Sequence, residues 1–326
     1  MILVIGGGKM GLSHLAIASA LIGKGNVALC DTSWLQRRAF AGMGYRCFHD
    51  FAQARQSLGP IAGAVIAAPT RSHYVITRSV LDQNIPCFVE KPLTLSPKAS
   101  AELVDLARSR GVDGQMGLVL RYNAAFLALR EVVRNGDLGA VRGYSATMTG
   151  NVITEHSKPS WRSDHARGGG VLNEYGPHVF DLCRFIFGDV AEIGDVTAAR
   201  VHSARAEDRL DLAWTHPGAI AGNLALNWCD PTRRKSEIRF DVRFAHARMI
   251  CDGVTLSAAA TQTPFPSPVA FYLRGEEYTL QLEAFIGKCL NRTLHQTPHP
   301  EVAATLQDGL EVDRLIDAVA RKGGLK

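Results

Sequence analysis

The stretch MILVIGGGKMGLSHLAIASALIGKG, residues 1–25, decides the fold. Met1–Ile5 is a short apolar run that stops at Gly6-Gly7-Gly8, and a helix-like segment begins at Lys9. Strand, glycine turn and helix, in that order, form the context in which G-x-G-x-x-G binds a dinucleotide. Gly6 permits the tight turn, Gly8 lets a pyrophosphate approach the backbone, and Gly11 lets the helix pack on the strand. Lys9 and Met10 open the helix, whose amide hydrogens and positive dipole end would face the phosphates. Taken alone, the same glycines would also serve as a turn in any α/β protein.

Asp31 narrows that choice. It ends a second strand-like run, NVALCD, twenty residues past Gly11, where a carboxylate can accept hydrogen bonds from the adenosine ribose hydroxyls. The same charge repels a 2′-phosphate, so NAD is expected in preference to NADP. Arg37 and Arg38 stand a turn or more into the next helix, too late to reverse that preference. The alternation continues with a strand in IAGAVIAA (61–68), a helix in SHYVITRSVLDQN, a strand in IPCFVE (85–90) and a helix in SPKASAELVDLARSRG. In that last helix Ser96 is the expected N-cap, with Pro97 at the first helical position and Gly111 past the end. This pattern predicts a doubly wound parallel sheet over residues 1–120. Ligands of such sheets sit at the carboxyl ends of strands. Those ends carry Pro69-Thr70, with His73 opening the next helix, and Glu90-Lys91-Pro92.

Bulk properties exclude several classes. The chain has 326 residues, enough for two domains, and 46% hydrophobic and 21% charged residues are ordinary for a soluble protein. A net charge of +5 spread along the chain argues against nucleic acid. The seven cysteines form no CxxC pair and read as buried reduced thiols rather than zinc ligands or disulfides. No apolar run is long enough for a membrane span, and the first residues lack the pattern of a signal peptide. A cytoplasmic location is the expectation.

A second stretch, GGGVLNEYGPHVFDLC from Gly168 to Cys183, carries reactive side chains. Glu174 and His178 stand four residues apart and Asp181 follows by three, so a helix would project all three from nearly one face. A glycine run just before a helix lets the backbone pass close to something bulky, here expected to be the substrate. Glu174, His178 and Asp181 could ligate a metal, but no further His or Cys lies nearby at ligand spacing, and none is expected.

These blocks together resemble the glucose–fructose oxidoreductase/inositol dehydrogenase family of nicotinamide-dependent enzymes, called Gfo/Idh/MocA. The likeness rests on GGGKMG, APTRSH (68–73), VEKPLTLS (89–96), LRYN (120–123) and GGGVLNEYGPHVFDL (168–182), in family order. It implies a Rossmann domain followed, over residues 121–326, by an α/β domain with a large, open, mostly antiparallel sheet. Runs such as VRGYSATMTG, LDLAW, GNLALNW, EIRFDVRF and ARMICDG fit that sheet independently, and EVAATLQDGLEVDRLIDAVARKG reads as a closing helix. The resemblance assigns Lys91 and His178 to catalysis and implies a cis Lys91–Pro92 bond. The chemistry agrees: oxidising an alcohol carbon needs a group to take the hydroxyl proton and a donor to stabilise developing alkoxide. An imidazole titrates near neutrality, and a strand-end ammonium can donate to the same oxygen.

Glu174 stands where the family more often has aspartate, and is expected to contact substrate or tune His178. Pro69, Thr70 and Glu90 are expected beside the cofactor; His73 reads equally as a cofactor contact or as packing. Arg121 and Tyr122, at the domain junction, and Arg162, in the loop before the glycines, are candidate substrate contacts, Arg162 equally a loop salt bridge. The expected activity is an NAD-dependent dehydrogenase or reductase of a sugar, sugar acid, sugar nucleotide or cyclitol, in a homo-oligomer (dimer or tetramer). An NAD-binding sensor without turnover, or a redox-neutral glycosidase or lyase that recycles NAD, are the alternatives.

Overall fold

The computed structural model describes residues 1–158, 160–258, 261–264, 276–294 and 300–325. They divide into two compact units, one of Met1–Tyr122 with Pro268–Asp313, the other of Asn123–Ser267 with Arg314–Lys326.

The first unit alternates strand and helix: β1 (Ile2–Ile5), α1 (Lys9–Ile22), β2 (Val27–Cys30), α2 (Trp34–Gly42), β3 (Arg46–Phe48), α3 (Phe51–Ser57), β4 (Gly63–Ile66), α4 (His73–Leu81), β5 (Cys87–Val89), α5 (Pro97–Arg110) and β6 (Gly114–Met116). The six strands form one parallel sheet in the order β3-β2-β1-β4-β5-β6. The order reverses between β1 and β4, which places the switch point of the sheet at the end of β1, where the glycines follow. Both faces are covered, so β1, β2, β4 and β5 are buried throughout. Ser96 caps α5, accepting from the Ala99 amide, and Gly111 closes it in the left-handed conformation at φ 62°.

The second unit begins with α6 (Ala124–Asn135) and β7 (Val141–Thr149), then α7 (Val171–Phe187), β8 (Glu192–Ala199), β9 (Arg209–His216), β10 (Ile220–Asn227), β11 (Glu237–Phe244), β12 (Arg248–Cys251), β13 (Thr255–Ala258) and β14 (Thr261–Pro264). The eight strands form a sheet in the order β14-β13-β12-β11-β7-β10-β9-β8. Every neighbouring pair is antiparallel except β7 with β10. Along β9 and β11 buried and exposed residues alternate, as a sheet with one covered face requires. The open, mostly antiparallel sheet expected from the sequence is therefore present, and its parallel β7–β10 pair makes it mixed.

Among the described residues two later helices follow, α8 (Glu276–Cys289) and α9 (Leu306–Lys322). The closing helix is shorter than the sequence suggests, because Pro300–Val302 forms a separate turn of 3-10 helix. Within the first unit, Leu282, Phe285 and Ile286 of α8 join Ile2, Val4, Leu15, Leu29, Val65 and Phe88 in one core. Gly63 makes room for this helix: a Cβ there would lie 2.6 Å from the Cys289 sulfur.

The start of α9 also reaches back to the strand-end loop after β5. Asp313 is buried, and its Oδ2 accepts from the Thr94 amide at 2.9 Å and the Ser100 hydroxyl at 2.6 Å. Burial, outweighing those hydrogen bonds, raises its pKa to about 7. The folded state then binds a proton that the unfolded chain releases near pH ~4. Stability supplied by that proton is full below pH ~4 and is lost as pH rises toward neutrality. Asp313→Asn is expected to flatten the pH dependence of urea unfolding between about 4 and 7; an unchanged slope would contradict the buried protonated carboxyl.

Candidate functional site

The glycine turn of the first unit leaves an open cradle. Gly6 adopts φ +104°, and a Cβ there would meet the backbone of Ala67 and Ala68 at 2.7 Å. At Gly11 a Cβ would stand 1.7 Å from the Gly6 carbonyl oxygen, so only glycine lets α1 run this close to the turn. Gly8 differs: nothing lies within 4 Å of its Cβ position. It is the N-cap of α1, makes no side-chain cap hydrogen bond, and no acidic residue follows in the first turn. Gly8 and Lys9 are exposed and Met10 is half-buried. The turn thus presents an uncapped helix end beside free space, which fits a pyrophosphate and its charge.

Asp31 follows β2 with its carboxylate fixed in place. Oδ2 accepts from the Gly7 amide at 2.6 Å and Oδ1 from the Ser33 amide at 2.7 Å. Ser33 in turn caps α2. This geometry leaves carboxylate lone pairs for further donors such as ribose hydroxyls. Arg37 lies closer than the sequence spacing suggests: its guanidinium donates to the carbonyls of Asp31 at 2.7 Å and Thr32 at 2.9 Å.

The carboxyl ends of β4 and β5 supply the remaining residues of this unit. Pro69 is exposed and Thr70 half-buried in a short 3-10 turn ahead of α4. Lys91 is half-buried, and its bond to Pro92 is cis. Glu90 is buried, with Oε1 2.7 Å from His14 Nε2. Burial pushes the Glu90 carboxyl up, but the His14 hydrogen bond, the His14 charge and Lys91 hold it below the ordinary carboxylate range. His73 is buried between two carbonyls, Nδ1 2.9 Å from Pro92 O and Nε2 2.9 Å from Ala68 O. Burial lowers its pKa against the opposing pull of those carbonyls. Arg121 is buried in an ion pair with Asp308 at 2.9 Å. Burial raises the Asp308 pKa, but Arg121 and the Thr305 amide bring it below the usual range. Tyr122 is buried, its hydroxyl 3.5 Å from Gln115 Nε2.

In the second unit, α7 is almost wholly buried over its first ten residues. Glu174 and His178 are the two of Val171–Phe180 that keep partial exposure, one turn apart on the same face. Asp181 stands at i+7 from Glu174 on the same side of the helix, but is buried there at 2% exposure. Arg162 is exposed and lies over the Trp161 ring, 4.6 Å from guanidinium carbon to ring centroid.

Two glycines of the run, Gly169 and Gly170, pack against the protein itself, whereas the expectation was that the run passes a substrate. A Cβ on Gly169 would meet the Trp161 and Arg162 carbonyls at 2.4 and 2.2 Å, and one on Gly170 the Glu207 carboxylate at 2.2 Å. Glu207 is wholly buried and caps α7 from outside: Oε1 accepts from the Leu172 amide at 3.0 Å, and Oε2 lies 3.2 Å from His165 Nδ1. The bulky object beside the glycines is a carboxylate that satisfies and polarises the start of the helix bearing Glu174 and His178. Sequence reasoning missed Glu207 because it lies more than thirty residues downstream, with no local pattern to mark it.

Comparison with known proteins agrees with this architecture. Residues 1–118 match the model of the oxidoreductase family with an NAD-binding Rossmann fold. Residues 126–249 match the C-terminal domain model of GFO/IDH/MocA proteins. The chain belongs to the Gfo/Idh/MocA family. Among curated proteins it is 28% identical over 189 residues to inositol 2-dehydrogenase 1 of Paenarthrobacter aurescens, covering 57% of this chain and 53% of that one. It is 25% identical over 185 residues to the rhizopine catabolism protein MocA of Rhizobium meliloti, 57% of this chain and 56% of that protein. The chain therefore spans just over half the length of these relatives. Among solved structures, levoglucosan dehydrogenase in complex with NADH and L-sorbose superposes with a TM-score of 0.83 at 16% identity, over 99% of this chain and 96% of that one. That likeness is one of fold.

Gly170→Ala tests the seating of α7. Positive φ and the Glu207 carboxylate both oppose a Cβ, so the substitution is expected to cost about 2–5 kcal/mol in denaturant unfolding. A cost within about 0.5 kcal/mol of zero would contradict the packing described.

Proposed function

We propose that the chain is an NAD-dependent oxidoreductase acting on a secondary alcohol or ketone of a sugar, sugar acid, sugar nucleotide or cyclitol. The observation that carries this reading is the shared edge of the parallel sheet. Lys91, at the end of β5, follows the same carboxyl edge on which β1 leads to the open cradle at Gly8 and β2 to the fixed carboxylate of Asp31. Gly6, Gly8, Lys9, Met10 and Gly11 would hold the pyrophosphate, Asp31 the adenosine ribose, and Pro69 and Thr70 the nicotinamide ribose. Bound there, NAD supplies the hydride acceptor.

In the proposed reaction His178 takes the proton from the substrate hydroxyl oxygen, or returns it in the reverse direction. Lys91 donates a hydrogen bond to that same oxygen and stabilises its anionic form. Glu174, one turn before His178, orients the substrate by accepting from a neighbouring hydroxyl. Its longer side chain, relative to aspartate, shifts where that acceptor stands by about 1 Å. Arg162 is proposed as a further substrate contact, through its guanidinium donors. The names of the relatives, inositol 2-dehydrogenase and levoglucosan dehydrogenase, support a polyhydroxylated substrate.

Lys91→Ala and His178→Ala are each expected to slow turnover at least about a hundredfold while NADH still binds. The measurement is reduced nicotinamide formed or consumed across a panel of sugars and cyclitols, with cofactor binding followed by fluorescence. Near-parental rates in either variant would remove its assigned role. Asp31 leads to a separate expectation, tighter binding of NAD than of NADP, with Asp31→Ala narrowing the difference; equal parental affinities would refute it.

A further inference from the structure

Lys91 is held on both sides by buried histidines. On its N-terminal side stands Glu90, whose Oε1 lies 2.7 Å from His14 Nε2 and whose Oε2 accepts from the Lys91 amide at 3.3 Å. His14 is wholly buried on α1, its ring edge-on to Phe88 with centroids 5.2 Å apart. Gly117 closes in from the other side, where a Cβ would stand 3.0 Å from Glu90 Oε2. On the C-terminal side, the Pro92 carbonyl meets His73 Nδ1 at 2.9 Å, and the other nitrogen of that ring meets the Ala68 carbonyl at 2.9 Å. A neutral ring donates to one of these carbonyls and a protonated ring to both.

The two histidines come from particular places. His14 sits in the helix that Gly8 caps, and His73 opens the helix that follows Pro69 and Thr70. Their exposures are 0% and 1%, so both rings are packed inside the fold. A buried carboxylate without a partner takes up a proton instead of staying charged; His14 supplies that partner, and so keeps Glu90 an acceptor for the Lys91 amide. His73 ties Ala68, at the mouth of one loop, to Pro92 in the next.

We propose that His14 and His73 are positioning residues, which lock Lys91 to the two loops that receive the cofactor, so that seating the dinucleotide also sets the ammonium group. This rests on Lys91 being the lysine beside the nicotinamide. The pair acts through backbone and through Glu90, never by contact with substrate.

The test needs no substrate. Lysines of the full chain are 13C-methylated by reductive alkylation, the Lys91 signal is assigned by its loss in Lys91→Arg, and NADH is titrated while its fluorescence reports binding. In the parent protein the Lys91 signal shifts to a single sharp position on NADH binding. His14→Leu and His73→Leu are each expected to bind NADH within about threefold of the parental Kd, yet to leave the Lys91 signal broadened or short of the parental position. His14→Gln keeps a donor where Nε2 stood and is expected to restore the sharp signal, which a loss of general stability would not do. If either leucine variant gives the parental shift, that histidine is not a clamp, and if His14→Gln fails to rescue, the hydrogen bond to Glu90 is not the operative contact. A parental Lys91 signal indifferent to bound NADH would overturn the placement of Lys91 itself, and the clamp with it. Should His14→Leu fail to fold, His73→Leu reads the other side of the same lysine, and a parental shift there overturns the paired arrangement.

Discussion

The first unit depends on the missing side chain at Gly11. Its absence lets the backbone of α1 lie against the carbonyl of Gly6, closer than any Cβ allows. That contact fixes the angle at which the helix leaves the sheet and leaves its first amides facing an uncrowded space at Gly8. Asp31 then reaches back to the Gly7 amide at 2.6 Å, so the turn and the acidic side chain hold each other. The sheet edge, the helix dipole and the carboxylate are thus one arrangement, in which no part is free to shift alone.

The second unit solves a comparable problem with charge instead of space. A helix as buried as α7 must satisfy its first amides without water. Glu207 does so from a distant loop, and the glycines are the room it needs. Pro177, inside the helix, gives up one further backbone donor. The half-exposed stripe of Glu174 and His178 is what remains of the polar face once the rest of α7 is packed.

What could be seen in the chain beforehand was what is written locally. The parallel sheet, the glycine turn, the cap at Ser96 and the i, i+4 relation of Glu174 and His178 follow from spacing along a few residues, whereas the mostly antiparallel sheet was expected from the family resemblance. Partners from far along the chain were invisible: Asp313 for Thr94, Glu207 for Leu172, His14 for Glu90, Asp308 for Arg121. The crowding at Gly169 and Gly170 could not be assigned for that reason, since a glycine announces crowding without naming what crowds it. Arg37 escaped because the side chain folds back along its own helix to the carbonyls of Asp31 and Thr32. Helix α8 went unread, although its Phe285 and Ile286 lie in the same core as Ile2 and Val4.

That last contact bears on how the protein is made. Strands β1 to β6 leave the ribosome in order, but part of the apolar mass that should cover them is encoded far later in the chain, in α8 and the start of α9. During translation the nascent sheet therefore waits with the surface around Val65 and Phe88 uncovered until synthesis has passed about nine-tenths of the message. Most of the second unit, Asn123–Ser267, emerges in that interval, and its remaining segment, Arg314–Lys326, follows the stretch that covers the first, so each unit waits for a late piece of chain.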